Sequence, residues 1–231
     1  MLNRLKNKFA ELAQERSATP EVISFQTIRR AVGWLGISLP IVLLGAYLIG
    51  SCDELQPSIS HFYYTNMREV FVGTLCAVSL FLFTYKGHSK LDSHAANLAG
   101  LCSLGVALFP TNILVNFPCQ KNVTPLIDIT FHAAIHFTCA ALFFLTLAYM
   151  SIALFTKSNL PEQERTLQKR KRNVVYKVCG WIMVGCIAWI GIYSSFIQGQ
   201  PETQTVFWFE TIALISFGIS WLTKGEALFG D

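Results

Sequence analysis

The chain reads as an all-α polytopic membrane protein, a bundle of six transmembrane helices preceded by an interfacial amphipathic helix. Three observations predict this. The apolar residues, 52% of 231, are gathered in blocks, and several approach or exceed the roughly 20 residues that cross a bilayer core. Charged residues make up only 14% of the chain, against about 25% in soluble domains. The blocks are continuous rather than alternating, which favours helices over a β-barrel because each helix satisfies its own backbone in lipid.

The elements follow in order. Residues 1–27 form a cytoplasmic amphipathic segment, in which Leu2, Leu5, Phe9 and Leu12 share one helical face and Arg4, Lys6 and Lys8 lie elsewhere. That pattern suits an anionic membrane surface. Thr19-Pro20 reads as a break. The six-helix domain occupies residues 28–231, with spans at about 31–50, 70–85, 94–111, 127–156, 174–196 and 203–222. Pro40 is expected to kink the first span. Ala95, Ala96, Ala99, Gly100 and Gly105 give the third span a surface for close helix approach. Asp92-Ser93 is expected to cap its start. The first apolar run begins only around Ala31, so no cleavable signal peptide is expected. Lys169-Arg-Lys-Arg172 reads as a cytoplasmic stop signal rather than a nucleic-acid-binding patch.

Placing both termini in the cytoplasm assigns 16 of the 18 Lys and Arg residues to inner segments and leaves only Arg68 and Lys121 outside. The positive-inside rule therefore orients the bundle and accounts for the net charge of +4 without an acidic partner.

With that orientation, three ionisable residues stand out on the fourth span. Asp128, His132 and His136 recur every four residues, so a helix stacks them in one stripe. Ionisable groups inside a membrane are costly and face a protein interior or a water-filled cavity. Glu210 on the sixth span falls in the same outer layer, about 8–14 Å below the helix ends. If those helices adjoin, His132, His136 and Glu210 supply the nitrogen and oxygen donors that zinc takes. In the first outer loop, His61 offers a further ligand or a general base, and Ser58 or Ser60 a group to orient substrate or water. Tyr63 and Tyr64 are expected in the interfacial aromatic belt. Cys52 and Cys119 both lie in outer loops, where an oxidising compartment permits a disulfide between them. The other five of the seven cysteines fall within spans and read as small apolar residues. Walker A, nucleophile-elbow, Rossmann and zinc-ribbon motifs are absent.

Two resemblances attach to these motifs. Ser58 to Gly73, Phe83 to Gly87, Asn97 to Gly100 and Val106 to Thr111 resemble a family of bacterial multi-spanning membrane proteins without an assigned activity. That resemblance implies a bacterial inner membrane. Ser58 with His61, and His132 with His136, are similar to a pattern of the alkaline ceramidase and progestin/adipoQ receptor superfamily of membrane hydrolases. There the serine precedes its histidine by four residues rather than three, and the late histidine pair lies on the last of seven spans. The resemblance implies zinc-dependent hydrolysis of a lipid amide through those four residues, and Asp128 or Glu210 would supply the carboxylate.

The functional expectation is an outward-facing pocket of histidines and carboxylates. Its uses are a metal-dependent lipid hydrolase, with His61, Ser58 and Asp128 catalytic; a transporter or receptor for a small molecule or ion; or a non-catalytic membrane subunit. The partners expected are the lipid bilayer and a lipid or small-molecule ligand, not nucleic acid.

Overall fold

The computed structural model describes residues 20–51, 54–87, 89–114, 117–121, 131–158, 161–196 and 203–229. The amphipathic segment at 1–16, Cys52 and Asp128 lie outside the described residues. Among those residues there are no strands, and six long helices carry the fold: α1 (Pro20–Ala46), α2 (Arg68–Thr84), α3 (Lys90–Leu108), α4 (His132–Tyr149), α5 (Leu167–Phe196) and α6 (Thr205–Lys224). Each helix packs on its neighbours in sequence, and α6 packs on α1, which closes a ring; α4 and α6 also touch across it.

Among the described residues, four stretches are long and apolar enough to cross a membrane: Phe25–Gly50, His132–Leu154, Leu167–Phe196 and Thr205–Lys224. The outward faces carry the apolar side chains that lipid would cover, among them Trp34, Trp181 and Trp189. The middle of the ring is filled. Phe143, Leu147, Met150, Phe217 and Trp221 are each no more than 3% exposed, and Phe143 meets Phe217 edge-on while Phe217 meets Trp221.

Small residues set the closest contacts, as the third span predicts. Gly100 lies against Phe83 and the Ser79 carbonyl, and Gly105 against Cys139. Ser79 donates to the Gly100 carbonyl at 2.7 Å and Ser103 to the Leu75 carbonyl at 2.9 Å, binding α2 to α3. The α1–α6 seam is also close. A Cβ on Gly218 would come within 2.6 Å of the Gly33 carbonyl oxygen, and one on Gly36 within 2.6 Å of the Phe217 ring.

Several element boundaries differ from the sequence expectation. The first helix begins at Pro20, eleven residues early, with proline at the helical position where its missing N–H costs nothing. The fifth takes in Lys169–Arg172, because Lys and Arg are good helix formers and their long stems let the charge leave the apolar layer. The fourth begins at His132, with Phe131 as its N-cap, and runs on as a π-helical stretch, Met150–Leu154. The cap of α3 is Ser89, whose N–H and hydroxyl both engage the Asp92 carboxylate, at 2.7 and 2.5 Å. At the end of α1 the chain turns through Gly50, φ +82°, a left-handed conformation that glycine adopts without cost.

Candidate functional site

At the end of the ring where α1, α3 and α5 finish, the residues 54–67 fold over the bundle. A short 3₁₀ turn, Ile59–Tyr64, is capped by Ser58, whose Oγ accepts from the His61 N–H at 3.3 Å. The turn is held from below by α6. The Ile59 N–H donates to Glu210 Oε2 at 2.6 Å, and the Ser60 N–H also engages that carboxylate. Phe207 N–H donates to the Pro57 carbonyl at 2.9 Å, a second tie between the same two segments.

Pro110 stops α3 two residues after Leu108, because the residue before a proline avoids the α conformation. The last carbonyls of a helix lack intrahelical partners, and here histidines take them. His136 Nδ1 lies 2.7 Å from the Phe109 oxygen and His132 Nδ1 2.8 Å from the Pro110 oxygen. The Asn112 carbonyl engages the His61 ring. A carbonyl only accepts, so Nδ1 of His136 and of His132 carries the proton.

That assignment fixes the other side of His136. In the neutral ring Nε2 is an acceptor, and Ser60 Oγ stands 2.9 Å from it. The hydrogen-bond chain therefore runs from the Ser60 hydroxyl to Nε2, and from Nδ1–H to the Phe109 carbonyl. His136 is 1% exposed and Ser60 8%. A second serine–histidine contact lies beside it, Ser58 Oγ to His61 Nδ1 at 2.6 Å. The two differ in origin. Ser58 and His61 share one helical turn and their contact is part of its N-cap, whereas Ser60 and His136 are 76 residues apart and meet only through the tertiary fold.

No protein-family model, no curated protein and no solved structure matches this chain. Its chemistry rests on its own geometry.

The structure brings together Ser58, His61, His136 and Glu210 as one cluster, with His132 close enough to His136 for their charges to interact. It does not make zinc ligands of His132, His136 and Glu210. His136 spends both ring nitrogens, and Glu210 gives an oxygen to the turn. Among the described residues no group of three His, Cys, Asp or Glu side chains converges to hold a metal ion. The layer is also shallower than expected, because His132 is the first residue of α4, His136 about 6 Å further in and Glu210 about 8 Å inside α6. Asp128 lies outside the described residues, so its place in the stripe does too.

Tyr63 and Tyr64 leave the interfacial belt. Both are buried; Tyr64 donates to the Thr111 carbonyl at 2.5 Å, and Arg68 donates to the Tyr63 hydroxyl at 2.6 Å. Burial is the main reason that the Tyr64 hydroxyl is pushed up to about 12. Cys119 is disulfide-bonded, and Cys76, Cys102, Cys139, Cys179 and Cys186 are free; Cys52 lies outside the described residues.

Burial pushes the His61 imidazole down to about 4, helped by its neighbour His136 and opposed by the Asn112 carbonyl. The ring is neutral at pH 7. Between about pH 6.5 and 4 the unfolded chain binds a proton there that the folded chain refuses, so stability falls as pH falls through that window and levels below it. The expected loss is on the order of 2 kcal/mol, allowing for the ring's partial contact with water. Thermal unfolding in micelles from pH 7.5 to 4 checks this, since His61→Gln should show a flatter profile than the wild type.

Proposed function

We propose that this chain is a six-span membrane protein of the bacterial inner membrane, both termini cytoplasmic, that hydrolyses acyl bonds of lipids at its outer end without a metal. The six-span reading adds α2 and α3 to the four long apolar stretches. It is supported by the exposed apolar faces of those two helices, Leu80 and Leu101 being 65% and 62% exposed. The orientation is supported by the distribution of basic residues and by the disulfide at Cys119, for which Cys52 is the partner we propose. Disulfides persist in oxidising compartments.

The observation that carries the activity is the chain Ser60–His136–Phe109 carbonyl. It has the parts of a serine nucleophile: a hydroxyl on an imidazole, and a third group that fixes the imidazole's tautomer. Ser60 Oγ attacks the substrate's carbonyl carbon while its proton passes to His136 Nε2. The same proton then leaves with the departing alcohol or amine; water, deprotonated by His136, attacks the acyl-serine, and the acid departs as His136 returns that proton to Ser60 Oγ. Glu210 positions the turn that bears Ser60. His61, kept neutral, adds no positive charge beside the base.

A fluorophosphonate probe tests the reading, because it forms a stable adduct only with an activated serine. The wild-type protein in micelles should gain one adduct, mapped by peptide mass to Ser60. An unlabelled Ser60 in a folded protein would sink the proposal. It would favour the second reading, in which the nearly complete burial of His136 marks a polar clamp joining the turn to α3 and α4, as in a non-catalytic subunit.

A further inference from the structure

Three supports hold the turn that carries Ser60, and they differ in kind. Two come from helices: Glu210 and Phe207 of α6 tie its start, and His136 of α4 meets Ser60 itself. The third comes from the irregular chain between α3 and α4. There the Tyr64 hydroxyl donates to the Thr111 carbonyl at 2.5 Å, and the Lys121 N–H donates to the Tyr64 carbonyl at 2.8 Å. On the other flank of the turn, Gln56 Nε2 donates to the Pro118 carbonyl at 3.0 Å, and Gln120 Nε2 donates to Gln56 Oε1 at 2.9 Å. Gln120 Oε1 in turn accepts from the Leu114 N–H at 2.9 Å. Residues 117–121 therefore grip the chain on both sides of Ser60, at Gln56 and at Tyr64.

Gln56 is fully buried, which shields its amide bonds from competing water. The grip itself has no regular element behind it, because residues 117–121 belong to no helix. Segments of that kind open locally at lower free energy than packed helices do. The covalent tie in the middle of the grip is the disulfide at Cys119. Cys119 has φ +65°, a left-handed conformation that a non-glycine residue keeps only where its surroundings impose it. Covalent closure of the loop imposes it here, together with the hydrogen bonds on either side.

We infer that the Cys119 disulfide is a redox switch on the serine site. Bonded, it closes the 117–121 strap on the turn; opened, it lets the turn loosen. The effect on activity rests on Ser60 being the nucleophile, whereas the effect on the turn does not. Opening takes two electrons and two protons from a dithiol, which leaves as a disulfide while Cys119 and its partner become thiols; closing is the reverse exchange with an oxidising disulfide. The site is thereby slack in a reducing compartment and competent where disulfides persist. Cys76, Cys102, Cys139, Cys179 and Cys186 are free and carry no bond for a reductant to open.

The test compares the whole protein in micelles before and after a dithiol reductant, with alkylation mass confirming that the bond has opened. Two quantities are read: hydrogen exchange of the peptide spanning residues 55–64, and the rate of fluorophosphonate addition at Ser60. Reduction should speed the exchange and slow the addition, each about tenfold, as expected when a loop loses its covalent closure. Reoxidation with oxidised glutathione should restore both. Cys119→Ser should resemble the reduced wild type and ignore the reductant. If that variant does not fold, Gln120→Ala supplies the reading: it keeps the disulfide, loses two hydrogen bonds of the strap, and should shift both quantities the same way by less. Unchanged exchange in the reduced wild type overturns the inference, as does a response to reductant in Cys119→Ser. Faster exchange with no adduct at Ser60 in either state upholds the switch on the turn and sinks the serine nucleophile instead.

Discussion

Ser60→Ala is expected to lower turnover of a fluorogenic acyl ester in mixed micelles about a thousandfold or more, with little change in stability. The methyl group fills most of the space of the hydroxymethyl, and the turn keeps its ties to Glu210. His136 Nε2 loses its donor, so some stability is forfeited, on the order of 1 kcal/mol. Ser58→Ala separates catalysis from capping. It removes the N-cap acceptor of the same turn at a cost of about 1 kcal/mol, yet should keep turnover within tenfold. His136→Asn should match the loss in Ser60→Ala, and combining the two should add almost nothing, because groups that act as one unit are not additive. Equal losses from Ser58→Ala and Ser60→Ala would mean that the turn as a whole, not one hydroxyl, supports the activity.

The largest structural effect is expected at Gly218→Leu. Any Cβ there meets Ile37 and the Gly33 carbonyl oxygen, at 2.6 Å from the oxygen, and a backbone carbonyl does not move aside as a side-chain tip can. Overpacking of this kind costs about 3 kcal/mol or more, and α1 and α6 must separate to relieve it. Gly185 and Gly191 provide the contrast. A Cβ at either has nothing within 4 Å, so Gly185→Ala should gain about 0.5–1 kcal/mol from helix propensity alone. Unfolding of the two variants and the wild type in the same micelles, followed by circular dichroism, should rank them Gly185→Ala, wild type, Gly218→Leu.

How much of this is legible in the sequence depends on the kind of group involved. Helices are announced by long apolar blocks, and their close seams by Ala95, Ala99 and Gly100. Boundaries are not, because Lys169–Arg172 satisfies a loop signal and a helix signal alike. At the site, His61, His136, Glu210 and the serines stand out because ionisable and hydroxyl groups are conspicuous among apolar neighbours. What they bind does not. The acceptors for the three histidines are backbone carbonyls of Phe109, Pro110 and Asn112, and a carbonyl has no letter in the sequence. The one signal available is Pro110, which ends α3 and leaves those carbonyls unpaired. Counting His132, His136 and Glu210 as zinc ligands overlooks the competition that such carbonyls and the turn's N–H groups offer to a metal. Tyr63 and Tyr64 mislead for a related reason. An interfacial tyrosine and a buried one with a carbonyl partner look the same until the neighbouring loop is placed.

The closed ring also constrains how the protein is made. Helix α1 leaves the ribosome early, but the groove formed by its Gly33 and Gly36 is filled by α6, the last of the six. For most of synthesis that groove faces lipid, a translocation factor or nothing. The Ser58–His61 turn waits as well, since the carboxylate that holds it belongs to α6. A nascent chain therefore carries Ser60 for most of its synthesis without the support that fixes its turn, and the bundle and the serine–histidine cluster are completed in the same step.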